Sequence, residues 1–96
     1  MTPPVLNPLM GNWLNVLLDW STYAGLADTF NVYRKRQGES HFSLITSGIT
    51  QQTIHSQHES NTGDVVSYYV TAVLAGTESP ASNIEIFTVP AKPPRI

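Results

Sequence analysis

The chain has 96 residues, 41% of them hydrophobic, which suffices for one domain with a modest core. Charged residues make up only 12%, the formal net charge is −2 and the pI is about 5.8, so no basic field exists to hold a nucleic-acid backbone. The lack of cysteine excludes disulfides and thiolate zinc sites, and no run of about 18 apolar residues occurs that would insert into a membrane as a helix.

The first ten residues, "MTPPVLNPLM", lack the basic and apolar regions of a secretory signal. With Met1 as the natural start, the expectation is a chain not exported by the general secretory route on its own. With Met1 added by cloning, the expectation is a piece of a longer secreted protein. Pro3, Pro4 and Pro8 at one end and Pro90, Pro93 and Pro94 at the other read as extended material unable to join a sheet interior. The expected organisation is a proline-rich segment or first edge strand over 1–8, a body over 9–89 and a proline-rich tail or linker over 90–96.

Within the body the hydrophobic period is two. In "WLNVLLDW", Leu14, Val16, Leu18 and Trp20 alternate with Trp13, Asn15, Leu17 and Asp19; "TYAGLAD" follows as a connection. In "TFNVYRK", Phe30 and Val32 alternate with Asn31 and Tyr33, and "RQGES" reads as a hairpin turn around Gly38. After the turn "SNTGD", the run "VVSYYVTAV" places Val66, Tyr68, Val70 and Ala72 on one face. After "LAGTES", "NIEIFTV" places Ile84 and Ile86 on one face. Such runs, rich in β-branched and aromatic residues, predict half-buried strands, and their spacing predicts an antiparallel β-sandwich.

These residues resemble a fibronectin type III domain. "LLDWS" resembles the second strand with its core tryptophan, here Trp20. "FNVYR" resembles the third strand in the style of bacterial and phage members, and "YYVTAVLAGTESPASN" resembles the sixth strand, the following loop and the start of the seventh. The resemblance covers nearly the whole chain and implies a seven-stranded immunoglobulin-like sandwich. Two positions depart from the pattern. The corner tyrosine six residues before the sixth-strand alanine is Val66, and the leucine six residues earlier is Ser60. The corner around "HESNTGD" is therefore expected to be built differently and more loosely. The integrin-binding Arg-Gly-Asp tripeptide of some members is absent, so that function is not carried over.

Chemistry-bearing constellations are sparse. His55 and His58 are spaced i, i+3, whereas ligands sharing one face of a strand sit at i, i+2. With His41 and Glu59 the only other nearby candidates, they read as solvent-facing residues of a strand and its loop. Asp19, His41 and a serine make a triad only on paper, without a nucleophile elbow or oxyanion loop. The expectation is no catalysis, no metal and no cofactor. Arg34, Lys35 and Arg36 form the only charge run and read as solubilising a hairpin, with an acidic surface or polysaccharide as the alternative contact.

The resemblance makes the third, sixth and seventh strands neighbours. It assigns Leu14, Val16, Leu18, Trp20, Phe30, Val32, Tyr68, Val70, Ala72, Ile84 and Ile86 to the core. The alternation then turns Tyr33, Tyr69, Glu85 and Phe87 outward on one sheet. With Arg34, Lys35 and Arg36 they form the candidate interaction face. Tyr69 is expected to pair across strands with Tyr33, and with Phe87 as a further neighbour. Two readings stand for these aromatics: sheet-stabilising pairs, or a binding patch. Trp13 is expected to cover the sandwich end beneath the N-terminal segment.

The implied function is a non-catalytic structural or adhesion module, first of a virion, as a phage capsid decoration or tail component on the particle surface. Its expected partners are capsid, tail or neighbouring-domain proteins and, weakly, cell-surface glycans, with no nucleic acid and no membrane insertion. The alternatives are a spacer or accessory domain of a secreted bacterial polysaccharide-degrading enzyme, for which "VPAKPPRI" is the linker, and a carbohydrate-binding module stacking sugars on Tyr33 and Tyr69.

Overall fold

The computed structural model describes residues 1–94; Arg95 and Ile96 of the expected C-terminal tail lie outside the described residues. Eight strands run in the order β1 (Met10–Gly11), β2 (Asn15–Asp19), β3 (Thr29–Lys35), β4 (Ser43–Ile49), β5 (Thr53–Gln57), β6 (Val65–Leu74), β7 (Thr77–Glu78) and β8 (Glu85–Thr88). There is no helix among the described residues. One sheet has the order β1-β2-β5; the other has β4-β3-β6, with both β7 and β8 on the far side of β6. All pairings are antiparallel. The two short strands β7 and β8 share the place of a single seventh strand, so the result is a seven-stranded β-sandwich whose last strand is broken.

The break has a local cause. Pro80 has no N–H to give to the ladder. Side chains carry the pairing across the gap: Ser79 and Ser82 donate their backbone N–H groups to the carbonyls of Ala72 and Val70, at 2.7 and 2.8 Å. Their hydroxyls accept the N–H groups of the same two residues, each at 2.9 Å. The buried middle of β6 is thereby satisfied without regular strand partners.

The core is built by Val16, Leu18 and Trp20 from one layer and by Phe30, Val32, Val66, Tyr68, Val70 and Ala72 from the other, all buried. Trp20 and Phe30 meet edge to face at 5.6 Å, and Tyr23 covers Phe30 in the same manner at 5.9 Å. Three residues expected in this core are outside it: Leu14, Ile84 and Ile86 are 49%, 54% and 62% exposed. Leu14 precedes β2, in a turn where the Asn12 side chain accepts the N–H groups of Leu14 and Asn15. The error at Ile84 and Ile86 is one of phase. The irregular stretch before β8 sets Phe87 opposite Val66 and Glu85 opposite Tyr68, on the core-facing side. Phe87 packs against the core and Ile86 points outward.

The N-terminal segment belongs to the body. Leu6 and Pro4 are fully buried, and Val89 closes the core at the other end of the chain. Leu6 is clasped by the Asn83 side-chain amide, which accepts its N–H at 2.8 Å and donates to its carbonyl at 2.9 Å. Asn7 continues the ladder by donating its N–H to the Asp19 carbonyl. This segment runs past the Asp19–Trp20 end of β2, whereas Trp13 sits in the β1–β2 turn at the opposite end. Trp13 therefore does not cover the sandwich end beneath the prolines.

The corner between β5 and β6 is built on His58, which is buried and not solvent-facing. Its Nε2–H donates to the Asn12 carbonyl at 3.1 Å, and its Nδ1 accepts the Ser60 N–H at 3.2 Å. A carbonyl only accepts and an amide N–H only donates, so this pair of contacts specifies the neutral Nε2–H tautomer. The ring lies 6.0 Å from that of Phe87. Gly11 stands beside the same cluster because a Cβ there would come within 2.4 Å of the Asn15 carbonyl oxygen and 3.0 Å of the Phe87 ring. The corner is also closed by Gly63 and Val89, whose N–H groups donate to the carbonyls of Val89 and Asp64.

Candidate interaction face

The residues expected to interact do not all lie together. Alternation along β3 sends Phe30 and Val32 inward and Asn31, Tyr33 and Lys35 outward, and the β3–β6 register places Tyr33 directly opposite Tyr69. The two rings stack at 4.5 Å with planes 15° apart. The second aromatic neighbour of Tyr69 is Phe42, edge-on at 4.8 Å, in place of the expected Phe87. Phe42 carries the Lys35 ammonium 5.5 Å above its ring. Leu44 lies opposite Tyr33 on β4 and is 51% exposed; Ile86 lies opposite Ser67 on the other flank. The outer face of the larger sheet is therefore an aromatic centre flanked by two exposed aliphatic residues. Glu85 and Phe87 are absent from it.

At one end of this face sits Glu78, in the stretch "LAGTES" that follows β6. Its carboxylate accepts hydrogen bonds from the Tyr33 and Thr71 hydroxyls and from the Asn31 amide at 3.2 Å. The Thr71 and Tyr33 hydroxyls hold its carboxyl below the usual range, so it stays anionic. Burial, reinforced by Glu78, pushes the Tyr33 phenol up to about 12. Burial does the same for Tyr68 against the opposing pull of the Arg34 guanidinium, and burial followed by the Glu78 charge raises Tyr69. Each of these three is a neutral acid whose folded-state pKa exceeds its unfolded value. Their stabilisation is thus fully present below about pH 10 and is lost as the pH rises through their folded-state values, about 12 for Tyr33 and Tyr68, because the unfolded chain ionises first. A titration of phenolate absorbance is expected to show Tyr33 and Tyr68 ionising only near pH 12 or on unfolding. Titration of Tyr33 and Tyr68 at the ordinary tyrosine value would contradict the packing described.

The charge run is divided by the same alternation. Arg34 and Arg36 turn toward the end of the sandwich and only Lys35 belongs to the outer face. Arg34 pairs with Glu59 at 3.1 Å and donates to the Gln57 carbonyl, while Arg36 donates to the Glu59 carbonyl at 2.9 Å. These two guanidinium groups tie β3 to the end of β5 across the two layers instead of merely solubilising a hairpin. Glu59 holds the required position with a left-handed φ of 54°. His41 and His55 are exposed and His58 is enclosed by protein groups; no cluster of three metal-ligating side chains occurs among the described residues.

No protein-family model matches the chain, and no curated protein matches it. Solved structures do. A Fn3-like protein from Clostridium thermocellum superposes with a TM-score of 0.73 at 26% identity, covering 96% of each chain. A human FNIII domain superposes with a TM-score of 0.77 at 17% identity, over 100% of this chain and 86% of that one. The chain has the fibronectin type III fold. A β-1,2-glucanase from Parabacteroides distasonis also contains the fold: it superposes with a TM-score of 0.79 at 17% identity over 96% of this chain, which spans only 13% of the glucanase chain. The fold is thus found both as a small protein or domain by itself and as a minor part of a large enzyme. Fold does not carry activity, and the functional argument rests on the face built by Tyr33, Tyr69, Phe42, Leu44 and Ile86.

Proposed function

We propose that this protein is a non-catalytic docking module that builds a larger assembly through the outer face of its β4-β3-β6 sheet. The observation that carries this reading is the combination of a preorganised aromatic centre, Tyr33, Tyr69 and Phe42, with exposed Leu44 and Ile86 at its flanks. A rigid aromatic patch with aliphatic neighbours and few charges has the composition of a protein-binding surface. A saccharide platform is disfavoured because the rings of Tyr33 and Tyr69 are stacked on each other.

The assembly we propose is the surface of a virion, with the module as a capsid decoration or tail component, on the strength of the "FNVYR" style of its third strand. The likeness to a small part of the β-1,2-glucanase favours a second reading, an accessory domain of a secreted polysaccharide-degrading enzyme. Sedimentation of material from the native source, followed by mass spectrometry, separates them. Recovery of the 96-residue chain with a large particle is the expected result. Recovery only within a longer secreted polypeptide overturns the virion placement and supports the second reading.

A further inference from the structure

The outer face carries two charges among the described residues, and their placement is self-complementary. Lys35 lies at one end, opposite Ser67 of β6, and Glu78 lies at the other, opposite Val73. Six residues of strand separate these two levels, about 20 Å. The Tyr33–Tyr69 stack lies between them. Glu78 remains anionic, and Lys35 has no carboxylate within ion-pair distance among the described residues. A two-fold axis in the plane of the face, perpendicular to the strands and passing over the tyrosine stack, reverses the strand direction. It brings Lys35 of each copy to the level of Asn31 and Thr71 of the other, whose side chains hold the Glu78 carboxylate, twice, while setting each aliphatic flank against the same flank of the other copy. That is the requirement of an isologous interface, in which one patch must complement itself.

We infer that the outer face is occupied by a second copy of this chain, in a face-to-face two-fold dimer held by Leu44, Ile86 and the aromatic centre and oriented by two reciprocal Lys35–Glu78 pairs. The inference rests on the reading of this face as a docking surface and names its occupant. The sheet edge is the weaker candidate for self-association. β4 is an uncharged edge strand, but its pairing with β3 is interrupted by two register shifts, and Gly48 within it has a left-handed φ of 68°. Such bulges turn an edge away from further pairing.

Sedimentation equilibrium of the full chain tests the dimer. The expected result is a mass rising with concentration from 10.6 kDa toward twice that value, with weaker association at high salt. Ile86→Arg, at an exposed position that does not disturb the core, is expected to raise the dimer dissociation constant by about tenfold or more, the effect of roughly 1.4 kcal/mol. Lys35→Glu and Glu78→Lys are each expected to give monomers, because like charges then face each other. An equimolar mixture of the two is expected to dimerise again, because in the mixed dimer one contact is restored with reversed sign and the other keeps its original sign. If Glu78→Lys does not fold, as judged by circular dichroism, the double variant Lys35→Glu/Glu78→Gln replaces the mixture and is expected to be monomeric at all salt concentrations. Three results overturn the inference: a monomer up to millimolar concentration, a dimer unaffected by Ile86→Arg, or charge variants that associate like the parent chain. The proposed function fails differently. A monomer that still sediments with its particle, and loses that association in Ile86→Arg, refutes the dimer and leaves the docking face intact.

Discussion

Removal of residues 1–8 is expected to destroy most of the stability of the domain. Leu6 and Pro4 are fully buried among core residues, and the Asn83 amide has no other partners that replace both backbone groups of Leu6. The point variant Leu6→Ala alone is expected to cost about 2–5 kcal/mol, the range for emptying a buried leucine site. The truncation adds the loss of Pro4 and of the Asn7 ladder bond to Asp19. Against a total of about 5–15 kcal/mol for an ordinary domain, such a loss leaves little or no folded protein at 37 °C. Urea denaturation followed by the fluorescence of Trp20, which is buried in the core, measures it directly. A truncated chain with the midpoint of the full one would mean that the segment is a linker after all.

His58→Ala is expected to be the most damaging single change in the connecting loops, at about 2–5 kcal/mol, because it combines a cavity with two orphaned backbone groups. Without the ring the Asn12 carbonyl and the Ser60 N–H lose their partners, and Phe87 loses the neighbour that fills the end of the sandwich. The β1–β2 turn, the β5–β6 corner and β8 all meet this one side chain. His58→Phe separates the two contributions: it keeps a ring and removes only the hydrogen bonds, for an expected loss of about 1–3 kcal/mol. Equal midpoints for the parent chain and His58→Ala would show that the corner carries no load.

Strong alternation made most of this structure readable from the residues. Val16, Leu18 and Trp20, then Phe30 and Val32, then Val66, Tyr68, Val70 and Ala72 show a single phase with polar residues between, so their inward face and the Tyr33–Tyr69 pairing follow from strand geometry. The seventh strand did not read correctly because both of its phases are apolar. "NIEIFTV" offers Ile84 and Ile86 on one face and Phe87 and Val89 on the other. The choice is made upstream, by how Ser79 and Ser82 hand the ladder across Pro80. No local pattern encodes that register. His58 was unreadable for a related reason: polar neighbours on both sides disguise a buried ring whose partners, Asn12 and Ser60, come from two different connections. Phe42 and Glu78 reach the outer face from the ends of short elements, where alternation has too few residues to establish a phase. The arginines could have been read in part, since Arg34 is in phase with Phe30 and Val32.

The clasp between Leu6 and Asn83 joins residues 77 positions apart. Closing so large a loop costs chain entropy before any contact rewards it, and topologies of this kind fold slowly. The clasp also imposes an order on synthesis. The N-terminal segment leaves the ribosome first, yet its binding site exists only after Asn83 has emerged. Until then Leu6 has nowhere to be buried, and the nascent chain exposes an unfilled seam beside Trp20. Completion of the fold is therefore a late event, in which the first residues of the domain to emerge are among the last to find their place.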